Sequence, residues 1–235
     1  MDDRELSSFA LLFTDIEGST RLWEHSPAAM ASAQVRHDQL LRQAIDANRG
    51  ALITMVGDSL RASFPDVAHA VRAAVDAQIA LDAADWNLTE GLHVRMAIHI
   101  ASAERSSVDA FRMPEPGRLE AMLALAHGGQ NLLSGAAADS IRVSMPADMW
   151  LIDLGRCRLP GINRSERIVQ IGHPALRSDF PLFGAPTTAG FAHRTHADRF
   201  IGRRHEPTGL QRLLDQPDIR LITLTGPGGI GKTRL

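Results

Sequence analysis

The chain has one cysteine, Cys157, among its 235 residues. A lone thiol excludes an intramolecular disulfide and a cysteine-based zinc cluster. Long hydrophobic runs are also absent, and none approaches the roughly eighteen apolar residues of a membrane span. The opening Met1-Asp2-Asp3-Arg4-Glu5 is too acidic for a secretory signal. There is no excess charge of either sign: a formal net charge of −2 gives no support for a nucleic-acid or anionic-membrane surface. What is present is ordinary, with 44% hydrophobic and 22% charged residues. That is enough for one well-buried domain with appendages, or two small ones. The expectation is a soluble, cytoplasmic protein that contacts neither membrane nor nucleic acid directly.

Periodicity organises the first three quarters of the chain. Residues 8–14 read as a strand buried on both faces, and Ser19-Thr20 offers a helix N-cap. Arg21 to Asn48 is helical in pattern, with Pro27 dividing a short helix from a longer one. Arg49-Gly50 closes it, the glycine being free to turn left-handed. Ala51 to Val56 and Leu60 to Phe64 flank Gly57-Asp58-Ser59, a strand–turn–strand signature. Pro65-Asp66 caps a helix to about Ala83, and His93 to Ala101 is a further strand. A helix over Arg118–Ala126, a short strand over Gln130–Leu133, a helix over Ala136–Arg142 and a strand pair (149–159, 167–171) follow. This order predicts an α+β domain over residues 1–172, with an antiparallel or mixed sheet and helices on one face. Residues 173–198, rich in Pro, Gly, His and Thr, read as a linker.

The tail, 199–235, carries a different signature. A strand-like Arg220 to Thr225 leads into Gly226-Pro227-Gly228-Gly229-Ile230-Gly231-Lys232-Thr233, the phosphate-loop pattern in its required context. Gly226 and Gly231 would let backbone N–H groups wrap phosphate oxygens, Lys232 would meet the terminal phosphates, and Thr233 would bind magnesium. The sequence given stops at Leu235, so the expectation is a vestigial loop at the start of a truncated NTPase domain.

The chemistry of the first domain centres on two aspartates. Asp15 leaves the first strand and Asp58 occupies a tight turn, so the two can converge on a pair of divalent cations. By themselves they also fit plainer roles, Asp58 as a turn former and Asp15 as a helix cap. The surrounding residues are more informative. Phe13-Thr14-Asp15-Ile16-Glu17-Gly18-Ser19-Thr20, Gly57-Asp58, Val94-Arg95-Met96-Ala97-Ile98-His99 and Ala126-His127-Gly128-Gly129-Gln130 together resemble the class III adenylyl/guanylyl cyclase catalytic domain. With Phe200-Ile201-Gly202-Arg203 and the phosphate loop behind them, they resemble the N-terminal part of actinobacterial cyclase–ATPase–helix-turn-helix regulators.

The resemblance implies a ferredoxin-like fold and a two-metal reaction using Mg2+ or Mn2+. Asp15 and Asp58 would hold the metals, helped by the backbone carbonyl of Ile16. The ribose 3′-hydroxyl of ATP or GTP would attack the α-phosphorus and expel pyrophosphate. It also implies a head-to-tail homodimer, or a heterodimer with another cyclase domain, with each site divided between protomers.

The chain departs from that pattern at the remaining site positions. Thr54 stands where cyclic-AMP-forming members carry a base-reading lysine, and it supplies no charge. Asp109 is the candidate for the second base contact. The transition-state asparagine falls on Gly117 and the arginine on Ala121, with Arg118 as a substitute within the same helix. Loss of an oriented charged donor costs about a hundredfold or more in rate. The expectation is therefore a nucleotide cyclase homologue of very low or no turnover in intracellular signalling. The alternative is a non-catalytic regulatory or dimerisation module, or the remnant of a larger ATP-dependent transcriptional regulator.

Overall fold

The computed structural model of the chain describes residues 6–88, 91–104, 116–159, 162 and 165–181, all within one compact unit, Met1–Phe183. Asp109, the phosphate loop and the rest of the tail lie outside the described residues.

The first strand, β1 (Leu6–Ile16), is an interior strand of a seven-stranded sheet. Its alternation serves two cores. Ala10, Leu12 and Ile16 face one side, Leu11 and Phe13 the other, and all five are 1% exposed or less. A strand covered on both faces has no polar face, which is why this segment reads as a continuous apolar run. Two helices follow, α1 (Ser19–His25) and α2 (Pro27–Ala47), with Pro27 opening the second, where its missing N–H costs nothing. Met30, Ala33, His37, Leu40, Leu41, Ala44 and Ile45 form the buried stripe of α2. The hairpin β2 (Ala51–Val56) and β3 (Ser59–Phe64) then leads into α3 (Val67–Asp82), capped by Asp66 accepting from the His69 N–H at 3.0 Å.

Strand β4 (Val94–Glu104) pairs antiparallel with β1 on the side opposite β3. Helix α4 (Pro116–Leu125), β5 (Asn131–Ser134), α5 (Gly135–Ile141) and the hairpin β6 (Trp150–Arg158) with β7 (Ser165–Gly172) complete the domain. The strand order is β2-β3-β1-β4-β5-β7-β6, and among the described residues only the β4–β5 pair is parallel. Its first four strands have the β-α-β-β-α-β arrangement of a ferredoxin-like unit.

Three expectations need correction. The helices cover both faces: α2, α3 and α5 pack on one core, whereas Leu119, Ala121, Met122 and Leu123 of α4 pack on the other with Leu11 and Phe13. The N-cap of α1 is Gly18 in a left-handed conformation (φ 69°), with no side-chain cap, and Ser19 is already helical. After α2, Arg49 takes the positive φ of 57°, not Gly50. Gly50 is needed for space instead, since a Cβ there would lie 2.4 Å from Phe64 Cε1.

Residues 173–181, read from sequence as the start of the linker, are packed onto the domain. Leu176 lies against the first core, Ser178 accepts a hydrogen bond from Gln170 at 2.8 Å, and Phe180 stacks on His127.

Candidate functional site

Sheet pairing brings the two aspartates to one end of the molecule. Asp15 is the last inward residue on the α4 face of β1, cross-strand from Arg95 of β4. Asp58 is the second residue of the two-residue β2–β3 turn. Gly57 takes φ 62° there, the pattern of a hairpin turn with glycine first, and a Cβ on it would meet nothing. Its requirement for glycine is thus conformational. Gln34 of α2 donates to the Gly57 carbonyl at 3.2 Å and ties the tip to the helix layer.

The Asp15 carboxylate is held from two sides. Arg95 donates to Oδ2 from Nε at 3.0 Å and again from Nη2, and Ser59, the neighbour of Asp58, donates to Oδ1 at 3.1 Å. Asp15 therefore does not cap α1. Burial is the largest influence on its acidity and pushes the carboxyl up. Arg95 opposes this, the Asp58 charge pushes up again, and the net result lies above the ordinary aspartate range. Asp58 Oδ2 is buried and has no hydrogen-bond partner among the described residues. An orphaned carboxylate oxygen beside a second carboxylate is costly unless a cation completes it. This donor set, two carboxylates plus the carbonyl of Ile16 at the end of β1, consists of hard oxygens suited to Mg2+ or Mn2+. No cluster of three or more His, Cys, Asp or Glu side chains placed to hold a metal occurs among the described residues, so substrate oxygens would have to supply the remaining ligands.

A cavity of about 230 Å3 opens beside Asp15, lined by Phe13, Ser59, Arg61, Arg95, Glu120 and Leu123 among others. Thr54 lies next to Arg61 on the same sheet face. A bulge at Ile53 sets both Ile53 and Thr54 against Arg61, and Ile53 packs on the α4-side core. Arg61 lies over the Phe13 ring at 4.8 Å and donates to Glu120 Oε1 at 2.6 Å.

The remaining sequence candidates are placed differently. Gly117 is exposed in the first turn of α4, with nothing within 4 Å of a Cβ. Ala121 is 6% exposed and belongs to the core under α4. Arg118 turns to β7, where it donates to Glu166 Oε2 at 2.7 Å. The Cys157 thiol is pushed up by burial and by Glu166, which makes it a poor nucleophile.

Sequence reasoning missed Arg95, Arg61 and Glu120 as site residues. The available signal was a single charge inside an otherwise apolar strand, as in Val94-Arg95-Met96 and Leu60-Arg61-Ala62. It also missed Glu17, whose Oε2 accepts from the Gly128 N–H at 3.1 Å and anchors the loop after Asp15.

No family model matches the chain. An uncharacterised protein of Mycobacterium tuberculosis is 34% identical over 201 residues, covering 83% of this chain. The chain spans 66% of that relative's length. A receptor-type adenylate cyclase of Trypanosoma congolense is 27% identical over 202 residues, 68% of this chain and 27% of that protein. Among solved structures, a Trypanosoma brucei adenylate cyclase superposes with a TM-score of 0.68 at 22% identity, covering 75% of this chain and 92% of that one. The adenylyl cyclase CyaB of P. aeruginosa gives a TM-score of 0.61 at 18% identity, covering 75% and 98%.

Proposed function

We propose that this chain, which has the fold of the class III adenylyl/guanylyl cyclase catalytic domain, binds a nucleoside triphosphate with Mg2+ or Mn2+ and converts it to the cyclic nucleotide very slowly or not at all. The observation that carries the reading is the buried, unpartnered Oδ2 of Asp58 beside an Asp15 whose carboxyl is held above its ordinary range.

Asp15, Asp58 and the carbonyl of Ile16 would hold the ions. Bound there, divalent ions neutralise phosphate charge and make the ribose 3′-hydroxyl a better nucleophile. Arg95, already against Asp15, is placed to take the nucleotide's phosphates as a second anionic partner. Thr54, cross-strand from Arg61, would offer one hydroxyl to the base. The defect lies on α4. An exposed Gly117 orients no ribose, and a buried Ala121 brings no cation to the charge that develops as pyrophosphate departs. These two positions also favour a second reading, in which the chain pairs with a complete cyclase domain and contributes only its metal half.

Calorimetry with Mn·ATP and Mn·GTP tests the reading. Saturable binding is expected, lost at least tenfold in Asp15→Asn and in Asp58→Asn, with cyclic product at or near background. Fast Asp15-dependent turnover would refute the low-activity half of the proposal. Binding indifferent to both aspartates would refute the metal half.

A further inference from the structure

Beside the Asp15–Arg95 pair, the same cleft contains a second cation parked on a carboxylate. We propose that Arg61 is a phosphate-contacting residue of this site, and that Glu120 is its resting partner, displaced when phosphate arrives. The inference rests on the nucleotide-binding reading above and adds where, besides Arg95, the anion is held.

Position comes first. Arg61 is flanked along β3 by Leu60 and Ala62, each fully buried on the opposite face. Its own side chain stands on the Asp15 face, cross-strand from Phe13 on one side and Thr54 on the other. Orientation comes next. The ring of Phe13, itself 1% exposed, lies beneath the guanidinium at 4.8 Å and fixes its plane. Arg61 is thereby held along the wall of the cavity that Asp15 and Arg95 also line.

The third argument concerns satisfaction. A guanidinium has five N–H donors, and among the described residues Glu120 Oε1 is the hydrogen-bond acceptor for Arg61, at Nη2. That partner is weakly committed, since the Glu120 side chain is 54% exposed and a solvated ion pair is worth little. A phosphate presents paired oxygens to the planar fork and forms the stronger, bidentate contact. Finally, Glu120 is the neighbour of Ala121 on α4. The pair therefore ties Arg61 of β3 to α4 beside Ala121, whereas Arg118 of the same helix turns to Glu166.

A purely structural tie and a phosphate site with a competing carboxylate give opposite signs in one experiment. The full chain is titrated with inorganic pyrophosphate and with Mn·ATP by calorimetry, and thermal unfolding is recorded for every variant. Arg61→Gln is expected to weaken pyrophosphate binding about tenfold or more, and Arg61→Lys to weaken it less. Glu120→Gln is expected to tighten it severalfold, because the competing carboxylate is gone. Arg142→Gln, an exposed cation outside the cleft, leaves it unchanged. Equal binding by wild type and Arg61→Gln, or a loss in both Arg61→Gln and Glu120→Gln, overturns the proposal. If Mn·ATP binding still depends on Asp15 in that case, the nucleotide reading stands and only the role of Arg61 falls. If wild type binds neither pyrophosphate nor Mn·ATP, both fall together.

Discussion

At the residue scale, Asp15 sits 20% exposed between Arg95, Ser59 and the charge of Asp58. Its folded pKa is raised above its unfolded value, so the folded state keeps this proton more tightly than the unfolded chain does. The sign follows from linkage: the group's contribution to stability is most favourable below the unfolded value, about 4, and is lost as pH rises through the raised folded value. Asp15→Asn removes that burden. The variant is expected to unfold at a higher temperature than wild type at pH 7, with the difference shrinking to nothing in acid. An Asp15→Asn variant less stable than wild type at neutral pH would show that the Arg95 contact outweighs burial. Metal uptake requires the carboxylate, so Mn2+ affinity is expected to weaken as pH falls, beginning above the ordinary aspartate range. Both aspartates were legible in the sequence because each sits in a local word, a strand end or a hairpin turn, with a fixed physical meaning. Arg95 and Arg61 were not, because one charge in an alternating strand reads equally well as a solvent-facing position.

At the scale of elements, the turn from α4 to β5 ties several parts of the domain together. The His127 N–H donates to Gln130 Oε1 at 3.0 Å, the Gly129 N–H to the Val94 carbonyl at 2.8 Å, and the Gly128 N–H to Glu17 at 3.1 Å. Phe180 stacks on His127 from outside, its ring held in turn by Arg177. Gly128 has no room for a side chain, since a Cβ would lie 2.4 Å from His93 Cβ and 2.7 Å from Glu17 Oε2. Gly128→Ala is expected to destabilise by about 1–3 kcal/mol, read from the denaturant midpoint, and to weaken Mn·ATP binding by moving Glu17. An unchanged midpoint would mean that the turn relaxes freely. The sequence announced the turn through its paired glycines. It did not announce that residues 173–181 fold back onto it: a Pro- and polar-rich segment has no period, and its packing depends on a surface built by other elements.

At the scale of the whole molecule, the site is assembled from β1, the β2–β3 hairpin, β4 and α4. Under the proposed function, with a site divided between two protomers, this chain would bring the metal half and lack the groups expected from α4. Mixed with a cyclase chain stripped of its own metal aspartates but otherwise complete, this chain is expected to restore cyclic-nucleotide formation, and its Asp15→Asn variant is not. No product at any mixing ratio would remove the pairing reading. No helix among the described residues is long and apolar enough to cross a membrane.

The sequence by itself determined the order of strands and helices and the two acidic turns that carry Asp15 and Asp58. These follow from local periodicity, turn chemistry and spacing, which act over a few residues at a time. Only the tertiary structure decided that α4 lies on the face opposite α2 and α3, that Arg95 grips Asp15 across 80 residues of chain, and that Arg61 meets Glu120 across 59. Strand register and the choice of sheet face arise from long-range pairing, and a one-residue shift of register would turn each of these side chains to the other core.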